Sequence, residues 1–146
     1  MKKAHASVES LARELLRIEG KVRGRRLLEE LVAVRRGAVL TIIANQSFHG
    51  IPQRYLRGQV YVASRGKLDL SSAAKAKAVY AKILQRLVRI LASNNWKEIY
   101  LIPTGHPTLS AAIKLAVYQV TRRNTVDVFY ADGKYFDLRL SVRDGA

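Results

Sequence analysis

Two short stretches of the chain cluster small hydrogen-bonding side chains of the kind that hold an anion: Asn45-Gln46-Ser47-Phe48-His49 and Thr104-Gly105-His106-Pro107-Thr108. In the second, the hydroxyls of Thr104, Thr108 and Ser110 can donate to phosphate oxygens, and Gly105 lets the backbone come close to a ligand. A helix opening at this point adds roughly half a positive charge at its N-terminus. The same threonines also serve as ordinary helix caps, so the residue types alone leave both roles open. His106 is the candidate catalytic residue, as a general acid or base, with Ser47, Thr104 or Lys114 orienting groups around it. His5, His49 and His106 share no metal-ligand spacing, and the chain has no cysteine. Neither a metal site nor a cofactor is expected, and thiolate catalysis and a disulfide framework are excluded.

Loops of this kind need a rigid frame. The β-branched run Ala38–Ala44 reads as a strand buried on both faces of a parallel sheet. Glu98–Pro103 and Thr125–Tyr130 read as two more central strands. Between them lie a helix capped by Ser71 or Ser72 and running to about Ser93, and a helix over Thr108–Thr121 that is apolar almost all round. Gln59–Ala63 and Leu68–Leu70 are expected as short strands around the turn Ser64-Arg65-Gly66-Lys67, and Ala131-Asp132-Gly133-Lys134 as the turn into a final antiparallel strand, Tyr135–Val142. Ahead of these, Val8–Glu19 and Arg25–Arg36 show helical apolar spacing, with Ser7 as an N-cap, Gly37 as a stop and Gly20–Gly24 as an exposed link. The expected fold is therefore α/β. It comprises a Rossmann-like, mostly parallel sheet with flanking helices and a C-terminal β-hairpin over residues 38–146, preceded by an N-terminal helical hairpin over residues 1–37. In such sheets ligands bind beyond the carboxyl ends of the strands, where both polar loops fall.

The segment Tyr100-Leu-Ile-Pro-Thr-Gly-His-Pro-Thr-Leu-Ser-Ala-Ala-Ile113 resembles the strand–Thr-Gly-Gly-Thr-Lys–helix element of CARF domains, and also the related SAVED domains, in which the corresponding strand ends in a Pro before a helix of small apolar residues. A strand like Val126–Tyr130 and a Tyr-bearing strand like Tyr135–Leu140 follow in SAVED domains as they do here. The resemblance spans about residues 38–142. It departs from the CARF motif at three positions: His106 replaces the second Gly, Pro107 the next Thr, and Thr108 the Lys, which leaves Lys114 as a substitute cation. The resemblance implies a domain that binds a cyclic oligonucleotide second messenger, of the cyclic oligoadenylate type, in CRISPR- or CBASS-type antiviral defence. It implies a homodimer, because a symmetric ligand suits an isologous interface, and either a separate effector protein or ring-nuclease activity without a metal. Such cleavage rests on aligning a ribose 2′-hydroxyl and on cations around the phosphate.

Charge agrees with an anionic partner. The 146 residues hold 26 Lys and Arg against 11 Asp and Glu, a net +15. Residues 45–90 carry nine basic residues against Asp69, so +8 of that total lies beside the first loop. Arg54 and Arg57, around Tyr55, are expected to grip phosphates while Tyr55 or Phe48 stacks on a base; the aromatics equally fit as core anchors of their loop. The expected ligand-binding set is Asn45, Gln46, Ser47, Arg54, Arg57, Thr104, Gly105, His106, Thr108 and Lys114. The alternatives are a basic protein that binds linear DNA or RNA, and a structural subunit docking an acidic protein. No apolar run reaches the ~20 residues of a membrane span, and Lys2-Lys3 leads into no signal core, so a cytoplasmic protein without a membrane partner is expected.

Overall fold

The computed structural model describes residues 8–36, 38–47 and 50–141, which form two compact units, Met1–Arg36 and Gly37–Ala146. The expectations for Ser7, Gly37, Phe48 and His49 lie outside the described residues. In the first unit α1 (Val8–Glu19) and α2 (Lys21–Arg36) form a helical hairpin. The exposed Gly20–Gly24 link is corrected. Gly20 alone turns the chain, at φ +77°, and the Gly24 N–H already donates to Gly20 O at 2.8 Å inside α2. Nothing in Lys21–Arg23 breaks a helix, and Gly24 is buried, where the lack of a side chain permits close packing.

The second unit is an α/β domain. Its strands are β1 (Ala38–Ile43), β2 (Gln59–Val62), β3 (Trp96–Ile102), β4 (Val126–Ala131) and β5 (Lys134–Arg139), with α3 (Ala73–Ala92) between β2 and β3 and α4 (Pro107–Thr121) between β3 and β4. The sheet order is β2-β1-β3-β4-β5; neighbours among the first four are parallel and β5 is antiparallel to β4. This is the Rossmann-like, mostly parallel sheet with a C-terminal hairpin that the hydrophobic runs predict. The hairpin turns at Asp132 and Gly133, both at positive φ, the geometry that matches the twist of the strands it joins. Leu68–Leu70 forms no strand, contrary to expectation. β2 pairs with β1, the chain then leaves the sheet through residues 64–67, and Leu68 packs on the core instead.

Alternation along the strands divides the core between the two faces. Leu40, Ile42, Ile99 and Leu101 pack beneath Ile83, Leu87 and Leu91 of α3 and Leu109, Ile113 and Val117 of α4. Each fully buried Leu or Ile contributes roughly 1.5–3 kcal/mol of transfer free energy. Ser72 caps α3 by accepting from the Lys75 N–H at 3.2 Å, and the Trp96 indole donates to Leu91 O at 3.0 Å, which fixes the helix end over the start of β3. On the opposite face Ile43, Tyr100, Ile102, Val126 and Val128 lie under Ile51, Tyr55 and Leu56, so a loop containing one 3-10 turn (Gln53–Tyr55) takes the place of a helix layer. That loop is tied down at Thr41, whose hydroxyl donates to Arg57 O at 2.6 Å and accepts from the Arg57 N–H at 3.0 Å. The apolar residues of α4 are not all buried: Leu115 and Tyr118 face outward.

Candidate anion-binding site

Register decides which loops meet. Ile43 at the end of β1 pairs with both Val62 and Ile102, so β1, β2 and β3 finish on one row. Because all three are parallel, the segments that follow them, residues 44–47, 63–67 and 103–106, leave from the same carboxyl edge. The first two are stitched together: the Gln46 N–H donates to Ser64 O at 2.9 Å, Gln46 forms a parallel bridge with Arg65, and the buried Ser64 hydroxyl donates to Ala44 O at 2.7 Å. Between them opens a cleft of about 410 Å³ lined by Asn45, Gln46, Ser47, Arg65, Gly66 and Lys67.

Asn45 holds the three segments in place. Its side-chain amide donates to Gly66 O at 2.8 Å, its backbone N–H donates to the Thr104 hydroxyl oxygen at 3.1 Å, and the Thr104 hydroxyl in turn donates to Asn45 O. Gly105, at φ +87°, lies flat against it. The Asn45 Oδ1 is buried with no hydrogen-bond partner among the described residues.

The sequence-predicted residues separate into groups. Asn45, Gln46 and Ser47 line the cleft, whereas Thr104 and Gly105 brace Asn45 from behind. His106 is the N-cap of α4: its Nδ1 accepts from the Thr108 N–H at 3.2 Å and lies 2.8 Å from the Thr108 hydroxyl. With Nδ1 accepting, the neutral ring carries its proton on Nε2. Lys114 sits in the middle of α4 and pairs with Asp127 at 2.5 Å, which is itself held by the Thr125 hydroxyl at 2.7 Å. Lys114 is thus engaged on the helix side of the sheet and does not line the cleft.

Arg54 and Arg57 belong to the other face. Arg57 grips Asp137 through both terminal nitrogens, at 2.8 and 3.1 Å, and stacks 4.2 Å over the Tyr100 ring. Burial opposes its charge, but Asp137 outweighs burial and raises the guanidinium pKa. Arg54 lies 5.1 Å over the Tyr55 ring, and Tyr55 packs at 4.9 Å on Tyr135 while its hydroxyl reaches Tyr135 O at 3.3 Å. Tyr55 is therefore a core anchor. The expectation that these two arginines join the polar loops fails because the loop after β1 folds back over the sheet face before reaching β2.

The cations that do line the cleft are Arg65 and Lys67, both in the turn after β2 and outside the expected ligand-binding set. A strand at Gln59–Ala63 parallel to the first must deliver its carboxyl-terminal turn, Ser64-Arg65-Gly66-Lys67, to the same edge. Both side chains are exposed, and neither makes an ion pair among the described residues. Cleft and cations together suit a phosphate or phosphodiester, with amide and hydroxyl groups beside them for sugar or base edges. Among the described residues no group of three or more His, Asp or Glu could hold a metal ion, and no helix is long and apolar enough to cross a membrane. No family model, curated protein or solved structure matches this chain.

Proposed function

We propose that this protein binds a cyclic oligonucleotide of the oligoadenylate type at the carboxyl edge of its sheet, as the sensing subunit of a homodimer acting through a separate effector. The observation that carries the reading is the cleft between the turns after β1 and β2. It is basic through Arg65 and Lys67, polar through Asn45, Gln46 and Ser47, and held open by the Thr104–Gly105 turn that resembles the CARF motif. That turn joins β3 directly to α4, so a helix N-terminus, whose dipole favours negative charge, opens at the same carboxyl edge as the cleft. In this arrangement Thr104 and Gly105 shape the site and Arg65 and Lys67 supply the charge that the motif lysine supplies in the resembling domains.

The test is thermal melting of the full chain with cyclic oligoadenylates of several ring sizes, cyclic dinucleotides, and linear RNA or DNA, followed by product analysis of any stabilising ligand. A ligand that binds only the folded state at a hundredfold excess over its Kd adds about 2.7 kcal/mol of stability. The reading requires that one ring raise Tm at half a ligand per chain, and loss of that ring over time adds ring-nuclease activity. A response to linear nucleic acid alone, growing with length, replaces the reading with general nucleic-acid binding.

A further inference from the structure

A second cavity, of about 330 Å³, lies on the flank of the domain between the edge strand β2 and α3, and Arg65 lines both it and the carboxyl-edge cleft. Its apolar lining includes Leu68, Val79 and Ile83 beside Val62 and Ala63 at the β2 edge, and its cations are Arg65, Lys82 and Arg86. Lys82 and Arg86 are one helical turn apart, so they present adjacent charges on the same face, and the Arg86 Nε–H donates to Lys82 O at 3.3 Å, which aligns the guanidinium along the helix. Among the described residues no carboxylate lines this cavity. The nearest acid in sequence, Asp69, is already engaged by Lys75 at 3.1 Å and by the Ser71 hydroxyl at 2.6 Å. Among the described residues Arg65, Lys82 and Arg86 form no ion pair. Leu68 and Val79 are partly exposed and Ile83 is buried, so three cations ring an apolar wall, which a plain solvated helix face does not offer.

We propose that this flank groove is a second nucleotide subsite, with Lys82 and Arg86 holding a phosphate, the floor of Leu68, Val79 and Ile83 receiving a base, and Arg65 bridging to the phosphate in the cleft. The inference rests on the cleft being an oligonucleotide site and deepens it: the ligand must carry at least two nucleotides, and its backbone runs from the carboxyl edge around β2 onto α3. A mononucleotide fills the cleft alone.

The experiment measures binding of fluorescently labelled adenosine monophosphate, linear oligoadenylates of increasing length and cyclic oligoadenylates to the full chain, to the exposed double variant Lys82→Ala/Arg86→Ala, and to Lys67→Ala, with melting curves confirming that the variants fold. The wild type is expected to bind oligoadenylates about tenfold or more tightly than the monophosphate. The double variant loses that gain and keeps the monophosphate affinity, whereas Lys67→Ala weakens both. A double variant with the same length dependence as the wild type overturns the groove and leaves the cleft reading intact. If the double variant loses all binding and Lys67→Ala changes nothing, the ligand sits in the groove alone, which overturns both the cleft reading and a subsite bridged to it. Failure of the wild type to bind any adenylate overturns both.

Discussion

A Cβ placed on Gly105 would come within 2.7 Å of the Asn45 Cβ, so the turn after β3 and the turn after β1 are in contact at a point where only glycine fits. Gly105→Ala combines that clash with a left-handed backbone, φ +87°, which costs a side chain about 1–2 kcal/mol by itself. Melting of the variant is expected at a Tm lower by roughly 5 °C or more. Because Asn45 must shift, affinity for any ligand of the cleft falls with it. Unchanged melting would mean that the two turns are not packed as described.

Thr104 gives a cleaner separation of fold from shape. Thr104→Val keeps the volume but removes both the acceptor for the Asn45 N–H and the donor to Asn45 O. Leaving those groups unpaired costs about 1–3 kcal/mol, measurable by urea denaturation, while Thr104→Ser restores the hydroxyl and most of the loss.

Much of this architecture was legible in the residues. The runs at Ala38 and Ile99, the Ser72 cap and the Asp132-Gly133 turn each carry a local physical signature, and the strands and helices fall close to where those signatures put them. The carboxyl-edge position of Asn45-Gln46-Ser47 and Thr104-Gly105 follows from the same alternation. Other features depend on three-dimensional choices with no local mark. Gly24 reads as a breaker until Gly20 has already made the turn. Arg57 reads as a phosphate ligand until the loop that bears it packs over Tyr100 and meets Asp137, eighty residues later in the chain. Lys114 finds Asp127 only because β4 pairs beside β3 beneath α4.

The two arginine sites should therefore part company in mutagenesis. Arg57→Ala loses the partly exposed fork to Asp137 and the stacking on Tyr100, a destabilisation of about 1–2 kcal/mol, and leaves ligand affinity unchanged. Arg65→Ala leaves the melting temperature within about a degree and weakens ligand binding about tenfold. Parallel melting and titration of both variants checks the contrast.

Glu98 makes stability depend on acid. Burial opposes its charge, yet the Tyr100 hydroxyl, donating at 2.8 Å, and the Arg139 guanidinium hold its pKa below the ordinary 4.5. A carboxylate with a lowered folded pKa contributes stability in full above its unfolded value and loses it as pH falls through the folded one. The difference in Tm between the wild type and Glu98→Gln is expected to be largest near neutrality and to shrink as pH drops below about 4.5. A difference that stays constant with pH would detach Glu98 from this network.

The central claim is that Arg65 and Lys67 at the carboxyl edge hold the phosphates of a cyclic oligonucleotide. Isothermal titration of cyclic oligoadenylates into the wild type and into Arg65→Ala/Lys67→Ala tests it most directly. The account predicts saturable binding of one ring to the wild type and a loss on the order of a hundredfold in the double variant, whose melting temperature is unchanged. Equal affinity for the ring in both proteins, or no binding of any ring to the wild type, would contradict it.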